Sequence, residues 1–247
     1  MLTLERVSYQ PREVAMVAHA SCRFEAGKLT AIIGPNGAGK TTLLKLAAGL
    51  LPASSGAISA EAMRFSDQQA RARHIAYLPQ FQSIAWPLMC RDVVALGLLP
   101  YGARDEARVM HALEICGVAQ FSDRTIDTLS GGEQARVHVA RLLVGDAQCL
   151  LFDEPVQSLD AAGALAVMGV LRRAADDGLA VALVLHDLHL AAQFCDHVLV
   201  MDKAVIAAQG APDEVLSAAC LSPIFGVEFV AVDAAGHNLL VAQAIKD

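Results

Sequence analysis

No stretch of this chain is long and apolar enough to span a bilayer. A spanning helix needs roughly 18 or more consecutive apolar residues. The longest run without Asp, Glu, Lys or Arg, from His74 to Cys90, is broken by Pro79 and Pro87. Aromatic residues are scarce, at 5%, which leaves few platforms for stacking unpaired bases. Basic charge is also short: 19 Lys and Arg stand against 26 Asp and Glu, for a net charge of −7. A nucleic-acid partner would call for a basic patch, so none is expected. None of the six cysteines forms a CxxC pair. They read as small core residues in a reducing compartment, not as a disulfide set or a zinc site. No positive-then-apolar signal opens the sequence, and the expectation is a soluble cytoplasmic protein.

What is present is a surplus of Ala, Leu and Val. Hydrophobic residues make up 55% of the 247 positions, enough for a sizeable core and for some apolar surface that covers a partner. The length fits one large domain or a domain with a subdomain. Leu2 to Tyr9 alternates apolar and polar residues, as a half-buried strand does. Ser21 to Glu25 and, more weakly, Gly56 to Phe65 also read as strands. Leu29–Ile33, Ile75–Leu78, Cys149–Phe152, Ala180–Leu185 and His197–Met201 are short apolar runs, read as buried strands. Lys40 to Leu50, Arg104 to Cys116 and Glu133 to Val144 carry the helical period, and Phe81 to Asp146 reads as a helical insertion. Strands alternating with helices imply an α/β fold with a mainly parallel sheet.

Three segments carry chemistry. Gly34-Pro35-Asn36-Gly37-Ala38-Gly39-Lys40-Thr41 has the G-x-x-x-x-G-K-T spacing of a phosphate-binding loop between a strand and a helix. Its glycines let successive N–H groups face inward on an anion, and the helix that follows adds its positive end. Lys40 would reach the β- and γ-phosphates, Thr41 would ligate Mg²⁺, and Thr42 would help hold the α-phosphate. Leu150-Leu151-Phe152 would deliver Asp153 and Glu154 to the C-terminal edge of the sheet, where ligands of open α/β sheets bind. Asp153 would hold Mg²⁺ and Glu154 would orient the attacking water, since phosphoryl transfer needs mainly positioning and charge compensation. Between them lies Leu129-Ser130-Gly131-Gly132-Glu133. Ser130 and Glu133 have the spacing of a capping box. A cap needs no glycine at the next two positions, and two bare N–H groups at a helix start suit a close phosphate.

In this order the three segments resemble those of the ATP-binding-cassette (ABC) ATPases. The likeness covers roughly Leu2 to Val227. It implies a P-loop NTPase core with a mainly parallel sheet, an N-terminal antiparallel β subdomain and an inserted α-helical subdomain at about 81–146. Residues 228–247 would be a short C-terminal extension. It also implies an ATPase that uses ATP and Mg²⁺ and works as a homodimer under two transmembrane permease subunits. A periplasmic or extracellular substrate-binding protein would be an indirect partner, and the chain would lie on the cytoplasmic face of the inner membrane. By this likeness Ser130, Gly131, Gly132 and Glu133 contact the γ-phosphate held by the other subunit. Tyr9 stacks on adenine, and otherwise would be an ordinary edge-strand tyrosine. Gln80 senses Mg²⁺ and the attacking water, His186 touches the γ-phosphate, and Asp160 of Ser158-Leu159-Asp160 crosses the dimer while capping a helix.

Val156 and Ala135 depart from the usual threonine and glutamine of the family. Val93-Val94-Ala95-Leu96-Gly97, Pro100-Tyr101 and the ending Gly210-Ala211-Pro212 … Phe225-Gly226-Val227 are similar to importers of iron-siderophore, haem and cobalamin. Leu98 stands where many of those carry arginine. An exporter subunit and a soluble ABC ATPase acting on nucleic acid or ribosomes stay as alternatives. A P-loop kinase is the rival from another class, and it has no use for the LSGGE segment.

Overall fold

The computed structural model describes residues 1–60, 68–80, 86–102, 104–234 and 237–243. Two sheets share the N-terminal half. β1 (Leu2–Tyr9) pairs antiparallel with β2 (Val17–Phe24) on one side. β3 (Leu29–Ile33) leads into α1 (Lys40–Ala47). β4 (Ser55–Ala60) returns to the other side of β1, giving a three-stranded antiparallel sheet in the order β2-β1-β4. Every second residue of the later part of β2 is buried, the alternation of a sheet with one face on the core.

β3 belongs instead to the main sheet. α2 (Gln68–His74) and β5 (Ile75–Leu78) come next. A group of helices follows: α3 (Cys90–Ala95), a 3₁₀ turn at Leu96–Tyr101, α4 (Glu106–Ile115) and α5 (Gly131–Leu143). The chain then alternates through β6 (Cys149–Phe152), α6 (Ala161–Asp176), β7 (Ala180–Val184), α7 (Leu188–Phe194) and β8 (His197–Asp202). β9 (Val205–Gly210) turns back antiparallel on β8. The six strands run in the order β5-β6-β7-β3-β8-β9, and all but β9 are parallel. β3, β6 and β7 are buried at every residue. Both of their faces are covered, so they read as unbroken apolar runs.

One face packs on α1 and the antiparallel sheet, through Phe24, Leu43, Leu44 and Leu151. The other carries α5 and α6, with Val137, Val139, Val167 and Leu171 in a core shared with Val93, Val109 and Leu113 of the helical group. Arg172 of α6 donates to Asp196 Oδ2 at 2.7 Å, and the same oxygen accepts from Leu29 N at 2.8 Å. Burial opposes the charge on Asp196, yet these donors hold its carboxyl below the usual range. This ion pair fixes α6 to the start of β3. The chain closes with α8 (Pro212–Val215), α9 (Ala218–Phe225) and an antiparallel hairpin of β10 (Glu228–Ala234) and β11 (His237–Gln243). Phe225 and Phe229 meet edge to face at 5.8 Å.

Several boundaries differ from the sequence reading. β2 begins at Val17, not Ser21, because its first half pairs with the end of β1 at Val7 and Tyr9. β4 starts at Ser55, and the expected continuation through 61–65 lies outside the described residues, as do 81–85 of the expected helical insertion. α1 ends at Ala47, where Gly49 takes a left-handed conformation that stops the helix. α4 starts at Glu106 because Asp105 caps it, accepting from Arg108 N at 3.1 Å. α5 starts two residues before the expected Glu133, since Ser130 is its N-cap. α2, β9 and the terminal hairpin were not expected as elements.

Candidate functional site

The loops after β5, β6, β7 and β3 leave the same end of adjacent parallel strands, so the sheet order gathers them along one edge. The loop after β3 is shaped by its neighbours as much as by its own glycines. Gly34 has φ +145°, and a Cβ there would stand 2.1 Å from Met201 O. Gly39 has φ +102°, and its Cβ would stand 2.4 Å from Met16 O. Any larger residue would clash and be strained as well. Lys40 folds back into the loop, donating from Nζ to Gly34 O at 2.7 Å and Pro35 O at 2.9 Å. It is only 6% exposed. Burial pulls its ammonium below the usual value, while the carboxylates of Glu154 and Asp153 oppose the shift. α1 has no side-chain cap and no acidic residue in its first turn. Its leading N–H groups are therefore open to an anion. Pro35 and Asn36 are partly or fully exposed at the loop's rim with Gly37, whereas Ala38 and Thr42 are buried.

β6 delivers the carboxylates from a fully buried strand. Asp153 is 2% exposed. Its Oδ1 accepts from Thr41 Oγ1 at 2.9 Å, and its Oδ2 from the Tyr77 hydroxyl at 3.3 Å. Burial raises its pKa, and the two hydrogen bonds work the other way. Glu154 has φ +54°, a conformation that costs a non-glycine residue of order 1–3 kcal/mol and that clusters at functional sites. Its Oε2 accepts from Gln80 Nε2 at 3.0 Å, and its Oε1 lies 2.9 Å from His186 Nε2. Gln80 also donates to Gln157 Oε1 at 2.9 Å. The carboxylate is thus held from both sides by an amide and an imidazole, each from the end of a different strand.

For a divalent cation the donors are the Thr41 hydroxyl and the Asp153 carboxylate. Both are oxygens, they already lie within hydrogen-bonding distance, and the carboxylate is desolvated. A buried carboxylate gains from a cation's charge. One carboxylate and one hydroxyl, completed by substrate phosphates, is a donor set that Mg²⁺ accepts. The residues fit the ion. Gln80, expected at the metal, donates from Nε2 to Glu154 and Gln157.

Ser130 and Asp160 form a second cluster. Ser130 caps α5: Glu133 N donates to its Oγ at 3.4 Å, and Glu133 Oε2 accepts from Ser130 N and Oγ, each at 2.8 Å. These bonds hold the Glu133 carboxyl below its ordinary value. Asp160 caps α6, accepting from Gly163 N at 2.7 Å. A Cβ on Gly132 would lie 3.3 Å from Gly163 Cα, so the starts of α5 and α6 touch. Among the described residues no hydrogen bond joins this cluster to Lys40, Thr41, Asp153 or Glu154. Tyr9 ends β1, and its carbonyl accepts from Met16 N at 2.9 Å. That puts it beside the segment that crosses Gly39. Of the residues named from sequence, Lys40, Thr41, Gln80, Asp153, Glu154 and His186 come together. Ser130 to Glu133 and Asp160 form a second group, joined to the first by no hydrogen bond among the described residues. Tyr77 and Gln157 were not anticipated, because neither stands in a recognisable motif.

The ABC transporter family profile matches residues 17–157. Among curated proteins, the hemin import ATP-binding protein HmuV of Rhodopseudomonas palustris (strain BisA53) is 37% identical, with 99% of this chain and 95% of that one covered. The zinc transport system ATP-binding protein TroB of Treponema pallidum (strain Nichols) is 40% identical over 79% of this chain and 76% of its own. Among solved structures, a metal-chelate type ABC transporter in an inward-facing conformation superposes with a TM-score of 0.84, at 22% identity, over 99% of this chain and 98% of that one. The dimeric ATP-binding cassette MJ0796 with ADP and Pi bound gives 0.75, at 23% identity, over 86% and 99%. At these identities the structural likenesses speak for the fold.

Proposed function

The chain belongs to the ABC transporter family and is an ATPase of it, and from that premise and the site geometry we propose that it powers an importer of a metal-chelate compound, haem foremost. The observation that carries the mechanism is that one chain bears two half-sites that no hydrogen bond joins among the described residues. Lys40, Thr41, Asp153 and Glu154 form a phosphate-and-carboxylate half, and Ser130 to Glu133 form a helix start with Gly131 and Gly132 at its first two positions. Two copies arranged head to tail would bring each half against the other, with ATP between. The chain would work as a homodimer beneath two permease subunits at the cytoplasmic membrane face, served indirectly by a substrate-binding protein. Closure follows from differential contact: ATP touches both surfaces only in the closed pair.

Within each site Lys40 would compensate the β- and γ-phosphate charge, and Tyr9 would stack on the base. Thr41 and Asp153 would hold Mg²⁺, which when bound neutralises phosphate charge. Glu154, steadied by Gln80 and His186, would orient the attacking water and take up its proton. The hydrogen bond from Gln80 to Glu154 also offers a route outward: moving Gln80 would move the catalytic carboxylate.

Haem is favoured as cargo because the HmuV relative aligns over nearly the whole chain. A metal-ion cargo is the second reading, favoured by the identity to TroB. The test is Glu154→Gln. The amide keeps the shape but cannot take a proton, and general-base contributions are ~10²–10⁴-fold. Hydrolysis should fall by that factor while ATP binding persists, and ATP should trap a dimer on size-exclusion chromatography. Monomer alone, with nucleotide bound, would sink the two-copy arrangement. Stimulation of the wild-type complex by a haem-loaded rather than a zinc-loaded binding protein decides the cargo.

A further inference from the structure

We propose that Tyr77 is a positioning residue for Asp153, the carboxylate assigned to Mg²⁺, and that the strand leading to Gln80 thereby controls both carboxylates of the site. The proposal rests on the reading of Thr41 and Asp153 as the metal-holding pair. Asp153 has two oxygens and two side-chain donors. Thr41 Oγ1 serves Oδ1 at 2.9 Å and the Tyr77 hydroxyl serves Oδ2 at 3.3 Å. The carboxylate is 2% exposed, so water cannot easily replace a missing donor. Without the phenol, Oδ2 would lose its donor and the group would be free to rotate about its last bond.

The backbone places Tyr77 for this. β5 pairs parallel with β6, with Tyr77 opposite Leu151 and Leu78 opposite Phe152. Asp153 N donates to Leu78 O at 2.9 Å. Side chains alternate along a strand. Tyr77 packs toward the core under α1, while Leu78 enters the core on the opposite face. Two residues after Leu78, Gln80 Nε2 reaches Glu154 Oε2 at 3.0 Å. Three of the four residues 77–80 therefore touch the pair: Tyr77 and Leu78 meet Asp153 through a hydroxyl and a carbonyl, and Gln80 meets Glu154 through an amide. A displacement of this segment changes the metal-holding and the water-orienting carboxylate together. None of the sequence motifs assigns Tyr77 any such part.

Partners of metal ligands are worth about 10–100-fold in metal affinity, and the 3.3 Å hydrogen bond points to the lower end. Affinity for a fluorescent ATP analogue is measured in Mg²⁺ titrations and in EDTA, for wild type, Tyr77→Phe, Asp153→Asn and the double variant. Wild type should bind more tightly with Mg²⁺ than in EDTA. If it does not, the metal reading itself fails and the proposal falls with it. Tyr77→Phe should raise the Mg²⁺ concentration at half-maximal effect about tenfold and leave affinity in EDTA unchanged. It should add nothing in the Asp153→Asn background, because the phenol acts through that carboxylate. p-Aminophenylalanine at position 77 keeps the ring and restores a donor, and should recover the wild-type midpoint. Equal loss in Mg²⁺ and EDTA would make Tyr77 a packing residue only, and an unchanged midpoint would show that Asp153 needs no help. Thermal unfolding of each variant reports whether the ring alone sustains the fold, and the p-aminophenylalanine protein answers the question even if Tyr77→Phe is unstable.

Discussion

Acid should weaken this protein through one histidine that belongs to neither the phosphate loop nor the carboxylate pair. His138 lies on α5, the helix that begins at Gly131, and is 6% exposed. Its Nδ1 has no hydrogen-bond partner among the described residues. Burial, and the Arg141 charge one turn on, push its pKa down from 6.5 to about 4. The unfolded chain would bind a proton near 6.5 and the folded one only near 4. Between those values the unfolded state holds more protons, so stability rises with pH. The contribution is whole above about 6.5 and is lost as pH falls toward 4. Integrating the two binding curves gives a loss of about 2 kcal/mol at pH 5 and about 3 kcal/mol at pH 4. For a chain of this size 1 kcal/mol shifts Tm by about 2–4 °C, so pH 5 should lower Tm by about 4–8 °C through this group alone. The carboxylates titrate too, and a comparison removes them. His138→Leu fills similar space without a titrating nitrogen. Urea unfolding of both proteins at pH 7.5 and pH 5.0 gives the difference of differences. The variant should lose about 2 kcal/mol less than wild type between the two pH values. Equal acid sensitivity would refute the reasoning, and would mean that His138 finds a proton acceptor or water in the folded state.

Tyr9→Ala should weaken ATP affinity, since a lost base stack costs ~1–3 kcal/mol, and leave turnover at saturation nearly unchanged; equal affinity in a nucleotide titration would reduce Tyr9 to an edge-strand residue. Lys40→Ala and Ser130→Arg should each abolish ATPase activity in homodimers, and mixing the two proteins should restore part of it, because a mixed dimer holds one site with neither lesion. An absence of recovery in a covalently linked heterodimer shown to bind ATP would count against the two-chain site.

The legible part of the fold was the part under the simplest physical constraint. β3, β6 and β7 are covered on both faces, so their sequences are apolar at every position, apart from the small Thr30, and could be read without knowing their neighbours. β9 is hard to see in sequence because half of it faces outward and its two alanines, glutamine and glycine carry little strand preference. The terminal hairpin reads in sequence as an extension, although Val-Ala-Val and Leu-Leu-Val runs lie on either side of Gly236, a hairpin signal. At the site, Lys40, Thr41, Asp153 and Glu154 were legible because spacing alone implies their chemistry. Gln80 and His186 carry no local pattern and came from the family likeness. Their short contacts to Glu154 depend on the sheet order, which places the ends of β5, β6 and β7 side by side. Tyr77 stayed hidden for the same reason, since nothing in Ile75–Leu78 marks it as more than a strand residue.

Gly131 and Gly132 show how far a sequence argument carries before packing divides it. Together they cost a helix start about 1–2 kcal/mol of propensity, and sequence alone assigns both to the approach of a phosphate. The structure separates them. A Cβ on Gly132 would lie 3.3 Å from the backbone of Gly163, tighter than ordinary contact, so the crossing of α5 and α6 gives this glycine a structural reason. A Cβ on Gly131 would lie 3.6 Å from the end of the Leu159 side chain, an ordinary contact, and its backbone is not in the left-handed region. Folding therefore does not require glycine at 131. The capping box of Ser130 and Glu133 already satisfies the helix start without it. On the proposed reading the bareness of Gly131 would serve a ligand that comes close to its N–H, and among the described residues no hydrogen bond joins it to the phosphate-binding half of the same chain. In the proposed two-copy arrangement that ligand would be carried by the other copy, and Gly131 would be the residue on which the two-chain site rests most directly.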